Sequence, residues 1–312
     1  MKEIIIGTRP SKLAVAQAEI IANMLKEKYP GYNFELKKIS TKGDRILNKP
    51  LAEISGKGLF IKEIEIALLN GEIDLAVHSY KDLPAELAPG LGIGAIPERV
   101  TALDSLIAKK GFTLDQLPPG AKLGTGSLRR KAQLLNYRPD LEILPIRGNI
   151  DTRLKILNET ELDGIILAAA GLKRLGWEDK ITQYLNPAIC IPAARQGALA
   201  VEIREDDQEM RDLLTAINHQ STAILVTAEH AFLDYLDSGC KVPIGAYAQF
   251  KNNKLVIEGM VARVDGSKVL REKVTGSKAS KTEARLLGIK LAKRLIAQGA
   301  REILTEIKEG KK

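Results

Sequence analysis

The sequence predicts an α/β protein of two doubly wound lobes with a hinge and a cleft, followed by a small α+β domain with a three-stranded antiparallel sheet. Three observations carry that prediction. Short β-rich runs alternate with amphipathic helical stretches through the first two hundred residues, the rhythm of parallel strands joined by helical crossovers. A late run, GALAVEIRED (197–206), reads as a strand returning to the first sheet, so the chain crosses twice between two lobes. Beyond about residue 220 the pattern becomes that of consecutive hairpins. A length of 312 residues suits two to three domains. The expected division is 1–98 plus 196–216, 102–192, and 220–312.

In the first lobe IIIGT (4–8) reads as a buried strand, and Ser11 to Lys26 as a helix with Leu13, Ala16, Ile20 and Met24 at helical spacing. FELKKIST (34–41) is the next strand, IKEIEIALLNG (61–71) the next helix and DLAVHS (74–79) the next strand. Between them, residues 42–60 carry glycines at 43, 56 and 58 and no period; a stretch this long inside a compact domain reads as a lid. The second lobe begins near 103 with DSLIAKK. KLGTGS, a helix from Arg130 to Tyr137, LEILPIR and DGIILAAAG follow. The last region opens with the helix ILVTAEHAFLDYL. Strands GAYAQFK, KLVIEGMVAR and KVLREKVTG come next, split by turn signals at Asn252-Asn253 and Asp265-Gly266, and EARLLGIKLAKRLIAQG forms a closing helix.

Composition excludes several classes. Hydrophobic residues make up 45% and charged residues 28%, and no apolar run reaches the ~18 residues of a membrane span. The start, MKEIIIGTRPSKLAV, lacks a signal peptide's apolar core. With two cysteines far apart in sequence, Cys190 and Cys240, a reducing cytoplasm is expected. The charge balance, 47 − 39 = +8, points to an anionic partner. Aromatics are few (1 Trp, 7 Tyr, 5 Phe) and none alternates with arginines as a base-stacking platform would need, which favours a small anion over nucleic acid.

Three strand ends pass through small residues into an arginine-bearing helix start: GTRPS (7–11), GTGSLRR (124–130) and IRGNIDTR (146–153). A helix N-terminus favours anions, and an Arg fork grips a carboxylate or phosphate in two places. Arg9, Arg129, Arg130, Arg147 and Arg153 together make a polyanion pocket. Neither GxxxxGK[ST] nor a strand–helix GxGxxG occurs, which argues against nucleotides. HSYKDLP (78–84) ends a strand with His78, Ser79, Lys81 and Asp82. Asp82 reads either as a solvated loop acid or as a general acid/base or cation-stabilising carboxylate. His219 and His230 have no metal-ligand spacing, so no metal is expected. Cys190, inside AICIP, reads as a buried structural thiol. Cys240, in LDSGCKVPIG beside Lys241, reads as an ordinary thiol or an activated one; without a histidine partner, covalent attachment suits it better than nucleophilic turnover.

These segments, in order, resemble the porphobilinogen deaminase family over essentially the whole chain. They are IGTRPSKLAVAQA, GKGLFIKEIE, DLAVHSYKDLP, GTGSLRRKAQL, IRGNIDTRL, ILAAAGLKRLG and GCKVPIGAY. The resemblance implies a monomeric, three-domain transferase of tetrapyrrole biosynthesis. It carries a dipyrromethane cofactor in thioether linkage to Cys240, adds four porphobilinogen units head-to-tail with loss of ammonia, and releases hydroxymethylbilane by hydrolysis. Asp82 matches the catalytic aspartate. Arg9, Arg129, Arg130, Arg147, Arg153 and Arg174 match the arginines that bind cofactor and substrate carboxylates. Ser11, Gln17, Lys57, Ser79, Lys81, Thr125, Ser127 and Gln196 match supporting contacts. Three positions depart from the family pattern. Arg195 in PAARQGAL stands where PAVGQGA has Gly, and Glu53 and Ser55 stand where Lys and Gly are common. The alternative reading is a non-enzymatic protein binding small polyanions, since two α/β lobes around a cleft are also periplasmic-binding-protein-like. That reading needs no role for Cys240, Asp82 or a third domain.

Overall fold

The computed structural model describes residues 2–45, 61–84, 86–236, 242–277 and 280–309. The expected lid therefore falls mostly outside the described residues, as do Lys57, Glu53, Ser55 and Cys240. Strands β1 (Lys2–Thr8), β2 (Tyr32–Lys38), β3 (Leu75–Ser79) and β4 (Leu91–Ala95) come from the first hundred residues. They are followed by β5 (Asp104–Ala108), β6 (Lys122–Gly124), β7 (Glu142–Leu144), β8 (Gly164–Ala168) and β9 (Gln183–Tyr184). The remaining strands are β10 (Leu199–Arg204), β11 (Ile244–Lys251), β12 (Lys254–Ala262) and β13 (Val269–Gly276). The helices are α1 (Lys12–Lys28), the single turn α2 (Lys42–Arg45), α3 (Lys62–Leu69), α4 (Leu128–Tyr137) and α5 (Ile150–Glu159). After them come α6 (Ala169–Arg174), α7 (Gln208–Thr215), α8 (Gln220–Tyr235), α9 (Lys281–Ala297) and α10 (Ala300–Lys308).

The chain forms two compact units, Met1–Val100 with Gly197–Ala223, and Thr101–Gln196 with Ile224–Lys312. In the first unit the sheet order is β2-β1-β3-β10-β4. β1 is parallel to β2 and β3, whereas the returning β10 runs antiparallel to β3 and β4. Alternation along the strands feeds two cores. Ile4, Ile6 and Val77 pack with Ile21 and Leu25 of α1 and Met210 and Leu214 of α7, while Ala76 joins Ile64 and Leu68 of α3 on the other face.

The second unit holds a sheet of order β7-β6-β8-β5-β9 and the three-stranded antiparallel sheet β11-β12-β13. β6 is parallel to β7 and β8, and β5 is antiparallel to β8 and β9. Leu106, Leu123 and Ile166 pack with Leu134 of α4; Ile107, Ile165 and Leu167 pack with Leu157 of α5 and Leu172 of α6. The C-terminal sheet is closed by Phe232 of α8, Leu287, Leu291 and Leu295 of α9, and Ile303 and Leu304 of α10. Its first hairpin turns through Asn252 and Asn253 at φ 49° and 59°, the left-handed pair that a two-residue turn requires.

Two expectations need correction. The α/β sheets are mixed rather than parallel throughout, because β5 and β10, each the strand that follows a passage from one unit to the other, run against their neighbours. The buried stripe of α1 is Ala14, Gln17, Ala18, Ile21, Ala22 and Leu25, and Leu13, Ala16, Ile20 and Met24 are only half-buried. Three alanines in that stripe let the helix lie close to the sheet, a signal that large apolar residues do not carry. β4, with sequence LGIGA, was missed because two of its five residues are glycine.

Candidate functional site

In both units most of the described site residues follow the C-terminal ends of parallel strands, the edge of an α/β sheet at which ligands bind. In the first unit Arg9 and Ser11 follow β1, and Ser79, Lys81 and Asp82 end or follow β3. Ser11 is the N-cap of α1, its hydroxyl accepting from Ala14 N–H at 3.3 Å. Gln17, 3% exposed, donates from Nε2 to Ser79 Oγ at 2.8 Å. Tyr80–Asp82 form one 3-10 turn that carries Lys81 half-buried and Asp82 exposed. His78 takes the opposite direction from Ser79. Its Nε2 lies 2.9 Å from Glu202 Oε2, both side chains being buried.

Arg9 meets an acid of the chain. Its Nε donates to Asp44 Oδ1 at 3.1 Å, and its Nη2 donates to the same oxygen. Asp44 Oδ2 accepts from the backbone N–H of Thr41 at 3.1 Å and from its hydroxyl at 2.8 Å. Burial alone would raise the Asp44 pKa; the hydrogen bonds from Arg9 and Thr41 reverse that and hold it below its ordinary value. The sequence pattern offered a signal in Thr41 and Asp44, three apart as in a helix-start capping pair.

In the second unit three arginine-bearing segments follow three adjacent strands. After β6, Thr125 is buried, Gly126 passes so close to Ile146 that a Cβ would lie 2.8 Å from its carbonyl oxygen, and Ser127 caps α4 by accepting from Arg130 N–H at 3.4 Å. After β7, Gly148 adopts φ 106°, which only glycine does without strain, and carries the chain from Arg147 into α5. Its carbonyl accepts from Arg153 Nε at 2.9 Å. After β8, α6 ends on Arg174, whose guanidinium is pushed down to about 10 by burial. Arg147 Nη1 is buried with no hydrogen-bond partner among the described residues.

Arg129 and Arg130 are each 5% exposed and share Asp104, which is 0% exposed. Arg129 Nη1 donates to Asp104 Oδ2 at 2.7 Å; Arg130 donates to Oδ1 from Nε at 3.0 Å and Nη2 at 2.7 Å. Gln196 Nε2 adds a third bond to Oδ1, at 2.8 Å. Burial alone would raise the Asp104 pKa, but the two guanidinium charges outweigh it and hold the carboxyl well below the usual range. Two cations and one anion leave a buried charge of +2 − 1 = +1, an arrangement that attracts a further anion. Cys190, 0% exposed, lies against this cluster, 3.4 Å from Asp104 Oδ2, and burial pushes its thiol up to about 12. Asp104 was not among the sequence candidates. Its signal was an acid opening the apolar strand DSLIA, in a chain that also has two adjacent arginines to bury.

Arg195 adopts φ 63° and is 3% exposed. A left-handed residue at that position explains why glycine is the common choice there, and the strain costs on the order of 1 kcal/mol. Its N–H donates to the buried Glu229 at 2.6 Å.

A mixed α/β protein with arginines gathered after its strand ends is the class these features define. Residues 4–212 match the porphobilinogen deaminase, dipyromethane cofactor binding domain, and residues 223–297 match the porphobilinogen deaminase C-terminal domain. The chain belongs to the porphobilinogen deaminase family. It is 48% identical to porphobilinogen deaminase of Desulforamulus reducens over 308 residues, 99% of either chain. It is 51% identical to that of Alkaliphilus metalliredigens, covering 98% of this chain and 96% of the relative. Among solved structures, a YaeC-family lipoprotein from Enterococcus faecalis aligns over 72% of this chain and 94% of its own, at 16% identity and a TM-score of 0.40.

Proposed function

We infer that this protein is a transferase of tetrapyrrole biosynthesis that joins four porphobilinogen units head-to-tail, releasing ammonia at each addition, and frees hydroxymethylbilane by hydrolysis. The single observation that carries the reading is the placement of cationic site residues after β1, β3, β6, β7 and β8, with a solvent-exposed aspartate, Asp82, after β3. A non-enzymatic polyanion binder has no use for that aspartate, and membership of the family does not support such a binder.

The residues fit a dipyrromethane cofactor. Its rings bear carboxylates, and the unpartnered Nη1 of Arg147 together with the net positive Arg129–Arg130–Asp104 cluster are donors suited to them. When bound, dipyrromethane supplies a terminal pyrrole whose free α-carbon is the point of addition. Arg147, Arg153 and Arg174 hold carboxylates, Thr125 and Ser127 add hydroxyl contacts, and Arg129, Arg130 and Gln196 contribute through the fixed cluster around Asp104. Arg9, with Ser11, Lys81 and the Gln17–Ser79 pair, binds the incoming substrate's carboxylates, and Lys57 adds a further cation. Asp82 opposes the positive charge that develops on the pyrrole as ammonia leaves, a role that needs a carboxylate placed in advance of the charge.

The tether is Cys240. Of the two cysteines, Cys190 is fully buried and its thiol is pushed up to about 12, which removes it as a thiolate nucleophile at neutral pH. We assign three working domains, 1–98 plus 196–216, 102–192 and 220–312, the last bearing the tether. Among the described residues no helix is long and apolar enough to cross a membrane. The protein acts as a cytoplasmic monomer on a small-molecule substrate, without nucleic acid or membrane.

Replacing Asp82 by Ala tests the mechanism. Porphobilinogen turnover is expected to fall by roughly a hundredfold or more, with an unchanged circular dichroism spectrum. Near-normal turnover removes Asp82 from the chemistry.

A further inference from the structure

Asp44 and Asp104 both bind site arginines, but of the two only Asp44 is reached by solvent. Asp104 is wholly enclosed and holds five hydrogen bonds from four side chains. Asp44 lies on a single helical turn, its side chain 14% exposed against 24% for Arg9. It takes the Nε–Nη2 side of Arg9, an edge that an Arg offers to a bidentate carboxylate. Thr41, 0% exposed, fixes the other carboxylate oxygen and so aims Asp44 at that edge.

We propose that Asp44 is the resident occupant of the Arg9 carboxylate site, and that a side-chain carboxylate of porphobilinogen takes its place on binding. The proposal rests on the reading of Arg9 as a substrate ligand. Exchange of one carboxylate for another leaves the charge around Arg9 unchanged, so it avoids baring a partly buried guanidinium. Asp44 thereby lowers the affinity for all ligands at this edge but penalises uncharged ones most, since an amide or ester must displace an anion without replacing its charge. Asp44 is then a specificity-determining residue, acting through Arg9.

The test compares Asp44→Asn, Arg9→Gln and the double variant in the cofactor-loaded enzyme. Asn keeps an oxygen for Thr41 but surrenders the charge. Asp44→Asn is expected to lower KM for porphobilinogen roughly fivefold, with a smaller change in kcat. It should also strengthen inhibition by the diamide of porphobilinogen. Arg9→Gln is expected to raise KM, and adding Asp44→Asn to it should change KM no further. Asp44→Ser, which retains an acceptor for Thr41, should show the same direction if the Asn variant folds poorly. An unchanged KM in Arg9→Gln overturns the reading of Arg9 itself. A raised KM in Arg9→Gln combined with an unchanged or raised KM in the Asp44 variants overturns the resident-carboxylate proposal alone. So does an Asp44→Asn effect that persists without Arg9.

Discussion

Arg9 in the first unit and Arg129 and Arg130 in the second all meet a carboxylate of the chain, in opposite surroundings. Around Asp104 the contacts are all buried, and the acid serves two guanidinium groups, an amide and a thiol. Around Asp44 the acid serves one guanidinium on a turn that solvent reaches. The first arrangement suits a permanent guest, because cations held in one geometry need no reorganisation to bind carboxylates that stay. The second suits a guest that arrives repeatedly, because its donor is already satisfied between visits and can exchange partners. A covalent primer and a substrate consumed four times make those two demands.

The difference is broken most severely by Asp104→Ala, which leaves two buried guanidinium groups facing no anion. A loss of about 3–5 kcal/mol is expected in urea denaturation, against less than about 1 kcal/mol for Asp44→Ala. Equal losses at the two positions would erase the distinction. Acid sharpens it next. The folded-state pKa of Asp104 is depressed, so its contribution to stability is complete above the unfolded value near 3.8 and is lost as pH falls below it. The stability gap between wild type and Asp104→Asn should stay level from pH ~7 to ~4 and narrow only below that; narrowing already at neutral pH would mean that the carboxyl is not held down by the arginines. A smaller effect is expected at Arg174, whose charge burial disfavours. Arg174→Met should weaken retention of the primer, read as a smaller fraction of purified protein carrying the two-pyrrole adduct. An undiminished adduct fraction in Arg174→Met would remove Arg174 from the residues that hold the primer.

Much of this was legible in sequence because the signals were local. The three strand-to-helix junctions, the hairpin turn at Asn252-Asn253 and the core thiol Cys190 each follow from a few adjacent residues. The directions of β5 and β10 were not, because a strand's orientation after a long passage between units depends on where the chain re-enters, which no period encodes. Site partners escaped for the same reason. Asp104 is 25 residues from Arg129 and 92 from Gln196, and Asp44 is 35 from Arg9; only folding brings them together. Arg195 was visible as a departure, and its left-handed φ supplies the physical content that the departure lacked.

Intact mass of the purified protein tests the central claim most directly, that two pyrrole units are tethered through Cys240. The expected result is a two-pyrrole adduct on wild type that persists in Cys190→Ser and is absent from Cys240→Ser. An unmodified wild-type chain, or an adduct that survives in Cys240→Ser, would contradict it.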